Sequence, residues 1–281
     1  MKRISIYCLL ICCVLLAASA QETKQLVILH TSDTHSRIES IDAHAADRYA
    51  GMGGVVRRAT FLKDFRSKNP EVLLFDCGDI SQGTPYYNLF RGEVEVKMMN
   101  LMGYDAMAIG NHEFDFGLDN MARLFRMADF PVVCANYDVA GTVLEGLVKP
   151  YVVINRGGVK IGVFGLSPQM EGLVQADKCE GIVYNDPIAA AQEVTDHLRA
   201  KEECDVVICL SHLGLRLKNA VCDEKLVAAT KGIDVILGGH THTFMEKPAV
   251  YLNAEGKSVP ILHSGKSGIL VGELNLTLIK E

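Results

Sequence analysis

Leu26-Val27-Ile28-Leu29 runs straight into His30-Thr31-Ser32-Asp33-Thr34-His35. The first four residues are a short apolar strand pattern, and those that follow bind metals, cap helices or make turns. The pattern recurs along the chain. Apolar residues 72–75 run into Asp76-Cys77-Gly78-Asp79, and 106–109 into Gly110-Asn111-His112-Glu113-Phe114-Asp115. Residues 206–210 end in Ser211-His212, and 235–237 in Gly238-Gly239-His240-Thr241-His242. Helical patterns are expected over 55–68, 94–101, 118–128, 188–201 and 220–230, with a further strand over 132–135. Residues 151–154 and 161–166 read as a hairpin across Arg156-Gly157-Gly158. The tail from Ala249 reads as antiparallel strands, with turns at Glu255-Gly256 and Lys266-Ser267-Gly268. Alternating strands and helices predict an α/β fold with a buried central sheet. The hairpin and the β-rich tail predict a mixed sheet or two packed sheets.

Five strand ends carrying Asp, Asn and His could converge on one point, because ligands of α/β sheets gather outside the carboxyl ends of strands. Imidazole and carboxylate together suit borderline divalent ions such as Zn, Mn, Fe, Co or Ni. Two such ions need roughly 3.5–4 Å between them and a bridging oxygen ligand. A carboxylate can bridge, and a neutral Asn carbonyl can complete a shell without adding charge. Each signal alone has a plainer explanation. Ser32 and Asp33 suit a helix cap, Gly78-Asp79 suits a turn, and a single His212 suits a packed core. What sets them apart is that all five fall at the same kind of position. His30, His44, His197 and His263 are read as structural, although His263 follows a tail strand and could lie near the site.

The chain has 281 residues, 49% of them hydrophobic, with no low-complexity linker. One domain over residues 21–281 is expected. Residues 1–20 read as a signal peptide: Lys2-Arg3 precede the apolar run 4–16, and Ala18-Ser19-Ala20 suits cleavage. The run is short of the roughly 20 apolar residues of a membrane span. An exported chain, periplasmic or extracellular, with no transmembrane segment after cleavage is therefore expected. Removing Lys2 and Arg3 moves the formal charge from −6 to −8. An acidic surface argues against nucleic-acid binding. Six of the nine cysteines follow residue 20. Cys77, Cys134 and Cys209 lie in apolar runs and read as buried thiols. Two of Cys179, Cys204 and Cys222 could pair in an oxidising compartment.

Asp33-x-His35, Gly78-Asp79, Gly110-Asn111-His112-Glu113, His212 and Gly238-x-His240-x-His242 together resemble the calcineurin-like metallophosphoesterases. Gly78-Asp79-x-x-Gln82-Gly83-Thr84-Pro85, Met99-Asn100-x-x-Gly103-Tyr104-Asp105 and Gly110 to Gly117 resemble the 5′-nucleotidase branch. The resemblance implies a four-layer αββα sandwich with mixed sheets. It implies one metal on Asp33, His35, Asp79 and His242, and a second on Asp79, Asn111, His212 and His240. It also implies that Asn111 and His112 contact the phosphate and that Asp115 orients His112. The activity it implies is hydrolysis of nucleotide phosphate monoesters by metal-bound hydroxide. Alternatives are a 2′,3′-cyclic-nucleotide or other phosphodiesterase, and a catalytic subunit that needs a separate chain carrying the C-terminal nucleotidase domain. A metal-binding protein without catalysis is disfavoured, because the metals do not need His112 and Asp115.

Overall fold

The computed structural model describes residues 23–279, so the signal peptide expected over residues 1–20 lies outside the described residues. Two six-stranded sheets dominate. The first contains β1 (Thr23–Thr31), β2 (Leu73–Asp76), β3 (Ala106–Ala108), β4 (Val132–Val133) and β6 (Val148–Lys149), all parallel. β14 (Gly272–Ile279) closes its other edge, antiparallel to β1. The second sheet is built on parallel β8 (Val159–Leu166), β10 (Val206–Ser211), β11 (Val235–Gly238) and β13 (Ser258–His263). Antiparallel β7 (Tyr151–Arg156) and β12 (Ala249–Leu252) form its edges. The short strands β5 (Tyr137–Asp138) and β9 (Val183–Tyr184) pair separately.

Side chains alternate across each strand, so every central strand feeds two cores. Leu26, Ile28, Leu73 and Phe75 face Val163, Ile208 and Leu237 between the sheets. On the outer face of the first sheet, Leu29, Leu74 and Met107 pack with residues of α1 (Val55–Lys68), α3 (Glu93–Met102) and α4 (Gly117–Met127). On the outer face of the second, Phe164, Val207 and Ile236 pack with α5 (Pro187–Ala200) and α6 (Asp223–Ala229). The result is a four-layer αββα sandwich with mixed sheets. Burial of each large aliphatic side chain in these three layers contributes about 1.5–3 kcal/mol. At Gly165 the two sheets approach so closely that an added Cβ would lie 2.0 Å from the Val133 carbonyl oxygen. The hairpin of β7 and β8 turns on Gly157 and Gly158, with φ of 58° and 72°, as a two-residue turn of this handedness requires.

Three expectations are corrected, and one helix was not anticipated. The tail does not form one antiparallel set. β12 and β13 do pair, but β13 runs parallel to β11 and β14 crosses to the other sheet. The region before α6 is not helical as early as Ala220; the helix begins at Asp223, whose buried carboxylate is held by Ser211 and His263. α2 (Pro85–Phe90) is a helix that the short pattern there did not signal. No disulfide forms among Cys179, Cys204 and Cys222, which are all free thiols. Cys204 is buried in the core outside the second sheet, and Cys179 packs on the core outside the first, so the sandwich itself separates them. Among the described residues, no helix is long and apolar enough to cross a membrane.

Candidate metal centre

All five strand ends meet at one edge of the sandwich. The first sheet supplies Asp33, His35, Asp79 and Asn111, and the second supplies His212, His240 and His242. Beyond β1 and β2 the chain keeps parallel contact as two adjoining turns. Asp33 N donates to Gly78 O (2.9 Å), His35 N to Asp79 O (3.1 Å) and Ser36 N to Ile80 O (2.9 Å). From the second sheet, His240 N donates to both Asp33 carboxylate oxygens, at 3.0 and 3.1 Å. Two sets of donor atoms result: Asp33, His35 and His242, and Asp79, His212 and His240. Within each set the atoms all lie within 4.8 Å of one another. His35 Nε2 is 2.9 Å from His242 Nε2, and His242 Nε2 is 3.4 Å from Asp33 Oδ1. His212 Nε2 lies 3.9 Å from Asp33 Oδ1, so the two sets adjoin.

The backbone is shaped for this convergence. Asp33, His35, Asp79, His240 and His242 have φ of 51°, 47°, 58°, 71° and 50°. The left-handed region is uncommon for residues with a side chain and costs about 1–2 kcal/mol each. Such strain gathers where a site over-determines the backbone. Gly110 is obligatory beside them, since an added Cβ would fall 2.2 Å from Asp79 Oδ1.

The donor set fits a pair of divalent cations. Asp33 and His212 are fully buried, and Asp79 is nearly so. Buried carboxylates side by side require compensating charge. Asn111 Oδ1 and His212 Nε2 are buried with no hydrogen-bond partner. His212 Nε2 does sit 3.0 Å from Asp79 Oδ2, but the approach is that of an ion pair and not of an aligned hydrogen bond. His212 Nδ1 donates to Cys77 O at 2.6 Å, which turns the Nε2 lone pair inward. A cation beside Asn111 and His212 would satisfy both orphaned atoms.

Electrostatics set the protonation states that a cation meets. Burial pushes His35 and His240 down to about 4, so both rings are neutral ligands near pH 7. Burial also works against a charge on His212, yet the Asp79 and Asp33 carboxylates lift it to about 10. Burial would raise Asp79, but His212, His35 and His112 hold it well below the usual carboxylate range. Metal uptake therefore competes with a proton on His212.

Two further expected residues stand at the rim. His112 N donates to Asp79 Oδ1 at 2.8 Å, and His112 Nδ1 is 3.0 Å from Asp115 Oδ2. His112 and Asp115 are partly exposed, whereas the donor atoms on Asp33, Asp79 and His212 lie beneath them. The four histidines read as structural stay outside the cluster. His263 binds Asp223 at 2.7 Å behind Gly238, and His30 is sealed beneath Gly272, where burial pushes it to about 3. His44 is exposed, and His197 bonds Tyr151.

Glu113 has a part that its place in the motif did not reveal. Its carboxylate accepts from the backbone N–H groups of Asp79 (3.0 Å), Ile80 (2.9 Å) and Gly110 (2.5 Å). It thereby ties the turn after β2 to the turn after β3 and belongs to neither donor set. A wide groove of about 860 Å³ opens beside His240, between the loops that carry Gln169 and Leu173 and those that carry Leu213 and Lys218.

A family model for the calcineurin-like phosphoesterases matches residues 26–244. The chain is 34% identical over 273 residues to the snake venom 5′-nucleotidase of Crotalus adamanteus, covering 90% of this chain and 45% of that protein. It is 32% identical over 262 residues to a trifunctional nucleotide phosphoesterase of Bacillus subtilis, covering 82% of this chain and 17% of that one. The crystal structure of a 5′-nucleotidase precursor from Thermus thermophilus superimposes with a TM-score of 0.82 at 33% identity. That match covers 89% of this chain and 51% of the other. The chain thus spans about half the length of the 5′-nucleotidase relatives it matches.

Proposed function

The chain belongs to the calcineurin-like phosphoesterase family, and from that premise we propose that it is a dinuclear-metal phosphohydrolase acting on nucleotide phosphate monoesters. The observation that carries this reading is the pair of adjoining ligand sets at one sandwich edge. Asp33, His35, Asp79 and His242 would hold one cation, and Asp79, Asn111, His212 and His240 the other, with Asp79 shared. When bound, the cations supply Lewis acidity, neutralising phosphoryl oxygens and lowering the pKa of water.

The chain's own groups do the rest. Asn111 and His112 would contact the phosphate, with His112 partly exposed at the rim. Asp115 accepts from His112 Nδ1, which leaves Nε2 to face the leaving group. Burial disfavours the charged ring, but the Asp115 hydrogen bond and the Asp79 charge outweigh it and raise His112 above its ordinary value. A protonated His112 gives its Nε2 proton to the leaving oxygen as the P–O bond breaks, and water supplies the new oxygen on phosphorus. The groove beside His240 has room for the nucleoside.

The relatives named as 5′-nucleotidases support a 5′-monoester. A relative named as a trifunctional nucleotide phosphoesterase leaves the ester class open, and the second reading is a cyclic-nucleotide phosphodiesterase on the same metals. Assaying a nucleoside 5′-phosphate beside a 2′,3′-cyclic one separates them. The proposal expects inorganic phosphate from the 5′-phosphate at a kcat/KM at least about tenfold higher than for ring opening, about 1.4 kcal/mol of discrimination. A preference for the cyclic ester would replace the first reading by the second. A third reading is a separate chain that contributes to the nucleoside site. Full turnover by the purified chain alone would exclude that need. We also propose that residues 1–20 direct export and that 21–281 form the mature domain. A mature protein whose amino terminus is Gln21 would bear this out, and retention of Met1 would refute it.

A further inference from the structure

Asp115 accepts a second hydrogen bond, and its donor lies outside the motif. Tyr87 OH donates to Asp115 Oδ2 at 2.8 Å, the same oxygen that meets His112 Nδ1 at 3.0 Å. The His112 contact to Oδ1 is longer, at 3.3 Å. With two donors converging on Oδ2, rotation of the Asp115 carboxylate would break two bonds at once. Tyr87 is itself held. Its ring packs on Phe116 with centroids 4.7 Å apart, and Arg91 lies 5.1 Å over the Phe116 face. It projects from α2, which opens with Pro85 at its first position. The start of that helix is fastened to the turn carrying His35. Thr84 Oγ1 donates to Ser36 O at 2.9 Å, and Gln82 N to Ser36 Oγ at 3.1 Å.

We infer that Tyr87 is a positioning residue for the Asp115–His112 pair, and that α2 sets this pair relative to the turn bearing Asp33 and His35. The inference rests on the role proposed above for His112. A carboxylate fixed by two donors orients the imidazole without touching substrate. Because the start of α2 is hydrogen-bonded to the turn after β1, the acid and one ligand turn keep a common frame. The Tyr87 hydroxyl does this through its hydrogen bond, and the ring serves to place the hydroxyl.

The test is a double-mutant cycle of Tyr87→Phe and Asp115→Asn in the full chain loaded with zinc. Tyr87→Phe keeps the ring against Phe116 and removes one hydroxyl, so both zinc ions and the fold are expected to remain. Its kcat on an alkyl phosphate is expected to fall on the order of tenfold, the scale of one hydrogen bond to a charged group. On a nitrophenyl phosphate, whose leaving group needs no proton, the loss should be under about twofold. In the Asp115→Asn background, adding Tyr87→Phe should cost nothing further, because coupled residues are non-additive. Additive losses, or equal losses on both esters, would overturn the inference. A readout independent of turnover is the His112 Nδ1 proton in the NMR spectrum of the zinc-loaded protein. It should exchange slowly in the wild type and rapidly in Tyr87→Phe. An unchanged exchange rate would also overturn the inference. A wild type that holds two zinc ions but cleaves no phosphate ester would refute the functional reading, while the NMR signal still decides the role of Tyr87.

Discussion

Asp79→Ala is expected to lose its metals and its turnover together, with kcat/KM falling at least about a thousandfold, since each cation supplies several kcal/mol of charge stabilisation. The Asp79 carboxylate is nearly fully buried, Oδ1 takes the His112 backbone N–H at 2.8 Å, and Oδ2 lies 3.0 Å from His212 Nε2. Its backbone sits at φ 58° and its carbonyl accepts from His35 N. Alanine would remove the charge and also occupy a left-handed position it tolerates poorly. Asp79→Asn separates the two effects, because Asn enters that region readily and keeps the shape while removing the charge. Elemental analysis of both variants should find less than one metal per chain, against two in the wild type. Retention of both metals with wild-type phosphate release would show that the shared ligand lies elsewhere.

That expectation could be formed from the sequence because the candidate ligands are chemically conspicuous. Asp33, Asp79, His212 and His240 each follow an apolar run, and short runs such as 206–210 read as strands from their length and β-branched content. Their convergence was also legible, since parallel strands bring their carboxyl ends to one edge. The pairing of the tail was not. Turn residues at Lys266-Ser267-Gly268 mark a change of direction but do not name the next partner. Ser267 N donates to Asp33 O, and the chain passes from β13 in one sheet to β14 in the other. α2 escaped notice because a helix of six residues offers less than two turns of periodicity. Glu113 and Tyr87 were silent for a different reason. Their roles are bonds to groups distant in sequence, the N–H of Asp79 and the carboxylate of Asp115. Composition and spacing carry no trace of such bonds. The left-handed backbone at Asp33, His35, Asp79, His240 and His242 is likewise a property of the assembled turns.

His112→Asn should show the opposite profile from the Asp79 variants: metals kept, chemistry slowed. The buried donor sets do not include the His112 ring, which is 27% exposed at the rim. What His112 gives to Asp79 is its backbone N–H, and any residue but proline preserves that bond. The ring's contribution is a proton, and general acid catalysis contributes roughly 10²–10⁴-fold where the leaving oxygen is basic. An alkyl or nucleoside phosphate should therefore lose about that factor in kcat, whereas a nitrophenyl phosphate should lose less than about tenfold. The pH dependence has a definite sign. Burial opposes the charge on His112, but the Asp115 hydrogen bond and the Asp79 carboxylate raise its pKa above the usual histidine value, so the acid persists to higher pH than an ordinary histidine would allow. Activity on the poor leaving group should then decline as pH rises through that raised value and the proton is lost. In the variant this alkaline limb should vanish, while any limb set by metal binding stays. Equal rates for variant and wild type on both esters would remove His112 from the chemistry. A variant that also sheds its metals would instead make the ring a ligand, which the outward placement of its side chain opposes.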